Sequence, residues 1–198
     1  MTASLAYRKN EAAILRGDVP DKYTRLLPHI SGRRILEFGS AEGVLALLLA
    51  KAGKTVTAVE QNNERHAAAL QLRDAWLAAG ILPRRAKVNF AAGSAIEAMS
   101  VFDPGTFDTL VAVRMIYYLR DSIDAVFAAV AERIPNVVIC GNANRAARHA
   151  AGIPHEGLGE FNVYASAPGM RALLERHGYR IVTEITKGDP ILVGQKDG

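Results

Sequence analysis

The sequence predicts an α/β fold: a three-layer sandwich with a seven-stranded, mostly parallel sheet and a C-terminal antiparallel hairpin. The first indication is that short apolar, β-branched runs alternate with longer helical segments, giving five strand–helix units. The second is that the last two runs, 179–186 and 190–195, are separated by a turn with the sequence Lys-Gly-Asp. A turn of this kind is typical of a hairpin.

Length and composition indicate one domain over residues 1–198. With 49% hydrophobic residues, the chain can build one core. It has no apolar run of membrane-spanning length, and charges interrupt its amino-terminal segment, so we expect a soluble, cytoplasmic protein without a membrane span. A single cysteine, Cys140, agrees with a reducing compartment.

The basic charge of the chain does not by itself indicate an acidic partner. The net charge is +4, but Lys and Arg are scattered among Asp and Glu. The densest cluster, Arg84, Arg85 and Lys87, is typical of a solvated loop. We therefore consider nucleic acid an unlikely partner, and the sequence leaves the oligomeric state open.

The most informative segment is the turn within residues 33–50. A short apolar run ends at Gly39, and a longer run of helical length follows Gly43. Because both glycines lack side chains, the turn can bend tightly and its backbone can approach a ligand, together with Ser40 and Ala41. Free N–H groups at the helix start would meet the polar groups of that ligand. The pattern is typical of a nucleotide pocket.

The second strand supports this interpretation. Residues 55–59 form a β-branched run that ends in Glu60, which is followed by Gln61. A carboxylate at this strand end can accept hydrogen bonds from both hydroxyls of a ribose. The two strands and the helix between them therefore predict a βαβ unit that binds a nucleoside. A βαβ turn without a ligand is the alternative.

The segment from Glu37 to Gly43, followed by Glu60, resembles motif I and the ribose acid of class I S-adenosylmethionine-dependent methyltransferases. The family pattern is acid-x-Gly-x-Gly-x-Gly, and Ala41 departs from it. The methyl group of alanine narrows the space in which the ligand approaches the turn but does not close it. The resemblance implies S-adenosylmethionine as cofactor. A dinucleotide oxidoreductase is less favoured, because the spacing of Gly39 and Gly43 differs from Gly-x-Gly-x-x-Gly. Moreover, Glu37 would repel a pyrophosphate but could contact the cationic methionine end.

The remaining cofactor residues are Tyr7, which is predicted from the position of its helix before the nucleoside-binding unit, and three residues that the same resemblance implies. Helices at 4–15 and 21–30 form an N-terminal lid over residues 1–32, in which Tyr7 either covers the cofactor or packs the lid onto the core. Ser94 and Ala95, after the third strand, match the position beside the adenine, although Ser94 can equally be a helix N-cap. Arg114 follows the fourth strand, where backbone should face the cofactor methyl group.

Residues 142–165 show weak periodicity, which predicts a long loop on the substrate side. This segment contains His149 and His155, the candidate general bases, since histidine titrates near neutral pH. A solvated histidine is the simpler interpretation of each, and an amine acceptor needs no base.

The sequence lacks the Pro-Pro-Tyr run of DNA methyltransferases. It also lacks the Asp and the Asp-Asn pair with which catechol-type methyltransferases hold a divalent cation, so no metal is expected. The resulting hypothesis is metal-independent methyl transfer to a small or mid-sized acceptor molecule. A non-catalytic S-adenosylmethionine-binding protein is the alternative, followed by a nucleotide-dependent oxidoreductase.

Overall fold

The computed structural model describes residues 13, 14, 16, 18, 19, 21–153 and 157–196. Most of the predicted helix at 4–15, with Tyr7, lies outside these residues, and so does His155. None of the helices in the described ranges is long and apolar enough to cross a membrane.

Within the described residues, seven strands form one sheet in the order β3-β2-β1-β4-β5-β7-β6. The strands are β1 Arg34–Phe38, β2 Thr55–Glu60, β3 Lys87–Ala92, β4 Thr109–Val113, β5 Asn136–Cys140, β6 Arg180–Ile185 and β7 Ile191–Gln195. β1 to β5 run parallel, whereas β7 is antiparallel to both β5 and β6. The predicted fold class, including the terminal hairpin, is confirmed.

Helices cover both faces of this sheet. The described α-helices are α1 Asp21–Thr24, α2 Val44–Lys51, α3 Asn63–Ala78, α4 Ala95–Val101, α5 Ile123–Arg133, α6 Ala143–Ala150 and α7 Ala167–Arg176. Short 3-10 helices span Leu27–His29, Ile116–Ser122 and Gly159–Ala165. Successive side chains of a strand point to opposite faces, so Ile35 packs into one core cluster and Leu36 into the other.

Two predicted segments differ from the structure. The predicted helix at 21–30 ends at Thr24 and resumes as a 3-10 turn, because the ring of Pro28 would clash with the Thr24 carbonyl in a continuous helix. The predicted long loop at 142–165 instead contains α6 and a 3-10 helix. Helix α6 has one buried side chain, Arg145, so it lacks the apolar stripe by which a helix is recognised in sequence.

Asp108 joins the beginnings of β1 and β4. Its Oδ2 accepts hydrogen bonds from the backbone N–H groups of Arg33 at 2.7 Å and Arg34 at 2.8 Å, and its Oδ1 accepts from Arg34 Nε at 3.0 Å. The Arg34 side chain and these two N–H groups lower the pKa of Asp108 to about 2, against a smaller opposing effect of burial. Asp108 therefore fixes the register of the two central strands at the amino edge of the sheet.

We expect Asp108→Asn to lower the free energy of unfolding by about 1–2 kcal/mol at pH 7, because charged hydrogen bonds are lost at a partly exposed site. The folded pKa lies below the ordinary value, so this contribution is full above about pH 4 and is lost as the pH falls towards 2. Denaturant unfolding of the wild type and the variant at several pH values measures this contribution of Asp108. Asp103→Asn, in an exposed turn, is the control, and an equal effect of both substitutions would contradict the assignment.

Candidate functional site

A pocket of about 960 Å³ opens at the carboxyl edge of the sheet, where the strand order reverses between β1 and β4. Open α/β sheets bind ligands at this switch point. Nine of the predicted cofactor residues line the pocket: Glu37, Gly39, Ser40, Ala41, Glu60, Gln61, Ser94, Ala95 and Arg114. The fold thus brings the residues that were predicted in four separate segments to one pocket.

The Glu60 carboxylate is held in a fixed position. Its Oε2 accepts a hydrogen bond from the backbone N–H of Ala41, and its Oε1 accepts from the backbone N–H of Asn62, both at 2.8 Å. The side chain is buried, yet it lines the pocket. Each carboxylate oxygen has a further lone pair, so Glu60 can accept hydrogen bonds from a ligand diol without losing these contacts.

Glu37 is the second buried carboxylate of the pocket. Its pKa is raised to about 8, chiefly by burial and to a smaller extent by the nearby negative charge of Glu60. The positive charge of Lys22 and a hydrogen bond from the Ala46 backbone N–H oppose this rise in the pKa. Its Oε2 is buried and has no hydrogen-bond partner among the described residues. A cationic ligand group would stabilise the ionised form of this side chain.

In the ligand-free protein, the raised pKa of Glu37 makes stability depend on pH. The folded state favours the protonated acid, so this group's contribution is present below about pH 4.5 and is lost as the pH rises through about 8. We expect Glu37→Gln to match the wild type at pH 5 and to be more stable at pH 8.5. Thermal unfolding without ligand measures the difference, with exposed Glu132→Gln as control. A pH-independent difference would contradict the prediction.

Backbone strain is concentrated around the pocket. Among the described residues, the non-glycine residues with positive φ are Ala41 at 50°, Arg114 at 54° and Arg120 at 50°, and all three line the pocket. This conformation costs a residue with a side chain about 1–2 kcal/mol. It is maintained at Ala41 by the bond to Glu60 and at Arg114 by the bond from its N–H to the Cys140 carbonyl. Strain of this kind is typical of functional sites.

We expect Ala41→Gly to raise the free energy of unfolding by about 1 kcal/mol, because glycine adopts this φ without a steric cost. Ala67→Gly, on the exposed face of α3, is the matched control and should lose about 1 kcal/mol. Denaturant unfolding of the two variants gives opposite signs if the strain at Ala41 is real. Loss of stability in both would contradict it.

The two glycines of the turn have different roles. A Cβ added at Gly39 would lie 2.8 Å from the Cβ of Met115, so Met115 packs directly over the turn beside the pocket. A Cβ added at Gly43 would lie 2.6 Å from ring atoms of Phe90 and 2.9 Å from Ala69. Gly43 is not among the residues that line the pocket. Gly43 therefore allows close packing of α2 against β3 and α3, and its predicted contact with the cofactor stays a prediction.

Ser94 is the N-cap of α4, as one of its two predicted roles requires. Its hydroxyl accepts from the Glu97 backbone N–H at 3.3 Å, and its backbone N–H donates to the Glu97 carboxylate at 2.8 Å, which completes a capping box. The hydroxyl also donates to this carboxylate at 2.7 Å. Next to it, Ile96 lines the pocket with 41% of its surface exposed. This apolar side chain was missed in the sequence and offers a flat ligand group a surface beside Ser94 and Ala95.

Arg145 lines the end of the pocket that is opposite to Glu60 and Ser94, and the sequence prediction missed it. Its guanidinium carbon lies 4.5 Å from the ring centre of Tyr117 and 5.4 Å from that of Tyr118. It donates hydrogen bonds to Asn162 Oδ1 at 2.9 Å and Tyr118 Oη at 3.2 Å. The available signal was the N-cap Asn142, whose side chain accepts the Arg145 N–H and starts α6.

Asp189 connects the Arg114 side chain, which follows β4, to the start of α6. The Arg114 guanidinium pairs with Asp189 Oδ2, and Asp189 Oδ1 accepts the Ala143 backbone N–H at 2.9 Å. Through Asp189, the side chain of Arg114 is thus linked to the start of α6. Tyr23 both lines the pocket and packs against the core, and burial raises its pKa.

The structure does not bring His149 to the pocket. His149 is exposed in the last turn of α6 and does not line the pocket, so the prediction of a general base there is not supported. His155 lies outside the described residues and stays a prediction. No group of three or more His, Cys, Asp or Glu side chains in the described ranges is arranged to hold a metal ion.

The comparisons with known proteins agree with this geometry. A family model described as a methyltransferase domain matches residues 7–184. None of the curated proteins matches the chain.

Several solved structures share the fold. The bifunctional kinase-methyltransferase WbdD matches with a TM-score of 0.60 at 16% identity over 98% of this chain, which spans only 40% of WbdD. Magnesium protoporphyrin IX methyltransferase (ChlM) from Synechocystis PCC 6803, with bound SAM, matches with a TM-score of 0.62 at 14% identity, covering 100% of this chain and 87% of that one. A TehB-like SAM-dependent methyltransferase from Corynebacterium glutamicum ATCC 13032 gives 0.63 at 16% identity, covering 97% and 95%.

Proposed function

We propose roles for the pocket residues from one premise: the chain belongs to the methyltransferase domain family and is a class I methyltransferase that uses S-adenosylmethionine. The proposal rests on the pocket of about 960 Å³, whose lining extends from Glu60 to Arg145. This volume is at the upper end of the range for ligand pockets. It leaves room for a small or mid-sized acceptor beside the cofactor.

Two buried polar atoms support the position of the cofactor. Glu37 Oε2 and Ser40 Oγ belong to residues that line the pocket, and both atoms lack hydrogen-bond partners among the described residues, although buried polar groups are normally bonded. In our proposal, Glu37 holds the cationic amino-acid end and Glu60 holds the ribose hydroxyls. Ser94 and Ala95, beside the apolar Ile96, then border the adenine.

The acceptor is assigned to the other end of the pocket. Met115, which packs on Gly39, and Arg114, with its strained backbone, both line the pocket and follow β4 in the chain. Tyr118 has 53% of its surface exposed and is held by Arg145, so it offers a fixed aromatic surface to an acceptor.

The cofactor supplies a methyl group on a positively charged sulfur, which is already activated for displacement. The pocket residues therefore need chiefly to align the acceptor and exclude water. Tyr117, which hydrogen-bonds to Asn142, is a poor base because burial raises its pKa. No histidine lines the pocket in the part of the chain that the structure describes. This favours an acceptor that needs no base, such as an amine, or a base from the predicted His155.

Other parts of the proposal rest on the sequence. Metal-independent transfer follows from Arg114 and Gly141-Asn142, which stand where catechol-type enzymes carry metal-binding acids and amides. A cytoplasmic location, and a small molecule rather than nucleic acid as acceptor, complete the proposal.

The test is a screen of small acceptors with S-adenosylmethionine labelled in its methyl group, combined with two variants. Glu60→Ala should weaken cofactor binding by about 1–3 kcal/mol, because a charged acceptor is lost. Tyr118→Ala should raise the KM for the acceptor and leave the cofactor Kd unchanged, because the aromatic surface and the Arg145 hydrogen bond that it removes both belong to the proposed acceptor end.

Calorimetry gives the cofactor Kd, and exposed Glu132→Ala is the matched control. Unchanged cofactor affinity in Glu60→Ala would remove its ribose role. Cofactor binding without transfer to any acceptor would instead favour a non-catalytic S-adenosylmethionine-binding protein.

A further inference from the structure

A second cleft, of about 290 Å³, lies at the amino edge of the sheet, where β1, β2 and β3 begin. Five cationic side chains line it, and none of its lining residues is acidic. The cations come from separate segments: Arg33, Lys51, Lys54, Arg85 and Lys87. β1 and β2 run from this cleft to the methyl-transfer pocket, so the two sites are about 15–20 Å apart.

The cleft gathers more positive charge than the net charge of the whole chain, which is +4. The sequence has 24 Lys and Arg against 20 Asp and Glu. Without the five cleft cations, the remaining 19 fall one short of the acids. Five cations that are separated along the sequence are therefore brought together at one place in the fold.

Local structure explains only part of this cluster. Lys51 lies in the last turn of α2, where a cation is favourable to the helix dipole, and Lys54 Nζ donates to the Gly32 carbonyl at 2.6 Å. Arg85 and Lys87 lie at no helix end. None of the five side chains forms an ion pair with a carboxylate of the described residues.

We propose that this cleft binds a small phosphate-bearing molecule. Like charges gathered around one concave surface repel each other, and an anion between them relieves that repulsion. Lys and Arg are the usual partners of phosphate oxygens. The volume is near the lower limit of small-ligand pockets, which suits a diphosphate group. Gly53 leaves the cleft open, since a Cβ there would meet nothing within 4 Å.

The experiment is a calorimetric titration of the full chain with inorganic pyrophosphate at low salt, in the presence of saturating S-adenosylmethionine to block the other pocket. We expect binding by the wild type. The double variant Lys51→Gln/Lys87→Gln should bind about tenfold or more weakly, because two charge-assisted contacts are lost. Lys187→Gln/Lys196→Gln carries the same net charge and should bind like the wild type.

Cofactor binding, measured in each variant, shows that the fold is intact and that the methyl-transfer pocket is unaffected. No binding of pyrophosphate by the wild type would overturn the proposal. Equal weakening in both double variants would also overturn it, because the effect would then reflect net charge. Tighter binding of a short single-stranded oligonucleotide than of pyrophosphate would replace the small ligand by nucleic acid.

Discussion

The geometry of the methyl-transfer pocket depends on the hydrogen bond from the Ala41 backbone N–H to the Glu60 carboxylate. This bond links the turn after β1 to the end of β2. It holds Ala41 in a backbone conformation that alanine otherwise avoids. The turn and the carboxylate therefore fix each other before any ligand arrives. Such preorganisation lowers the entropic cost of binding.

A second link performs the same task at the end of the pocket that contains Arg145. Asp189, in the hairpin turn before β7, accepts hydrogen bonds from the Arg114 side chain and from the first turn of α6. The terminal hairpin thus positions the helix that carries Arg145. This explains how an antiparallel strand far from the cofactor turn in sequence contributes to the same pocket.

The sequence predicted the sheet well because its signals are local. Buried β-branched runs, a capping serine and a short hairpin turn each specify their structure within a few residues. The common location of Glu37 and Glu60 was predictable for a related reason, since residues at the carboxyl ends of parallel strands meet at one edge of the sheet. Helix α6 was missed because its only buried side chain is an arginine, which breaks the apolar pattern. The packing role of Gly43 was missed because its contacts, Phe90 and Ala69, are distant in sequence.

The two pocket carboxylates illustrate how environment assigns different tasks to the same chemical group. Glu60 receives two backbone N–H donors, so its position is set by the protein itself. Glu37 keeps one buried oxygen without a partner, and burial raises its pKa to about 8. A diol needs an acceptor that is already in place, whereas a cation can stabilise a carboxylate that the empty protein leaves protonated. If the cationic end of the cofactor binds at Glu37 as we propose, its binding is coupled to release of a proton, and this coupling distinguishes Glu37 from Glu60.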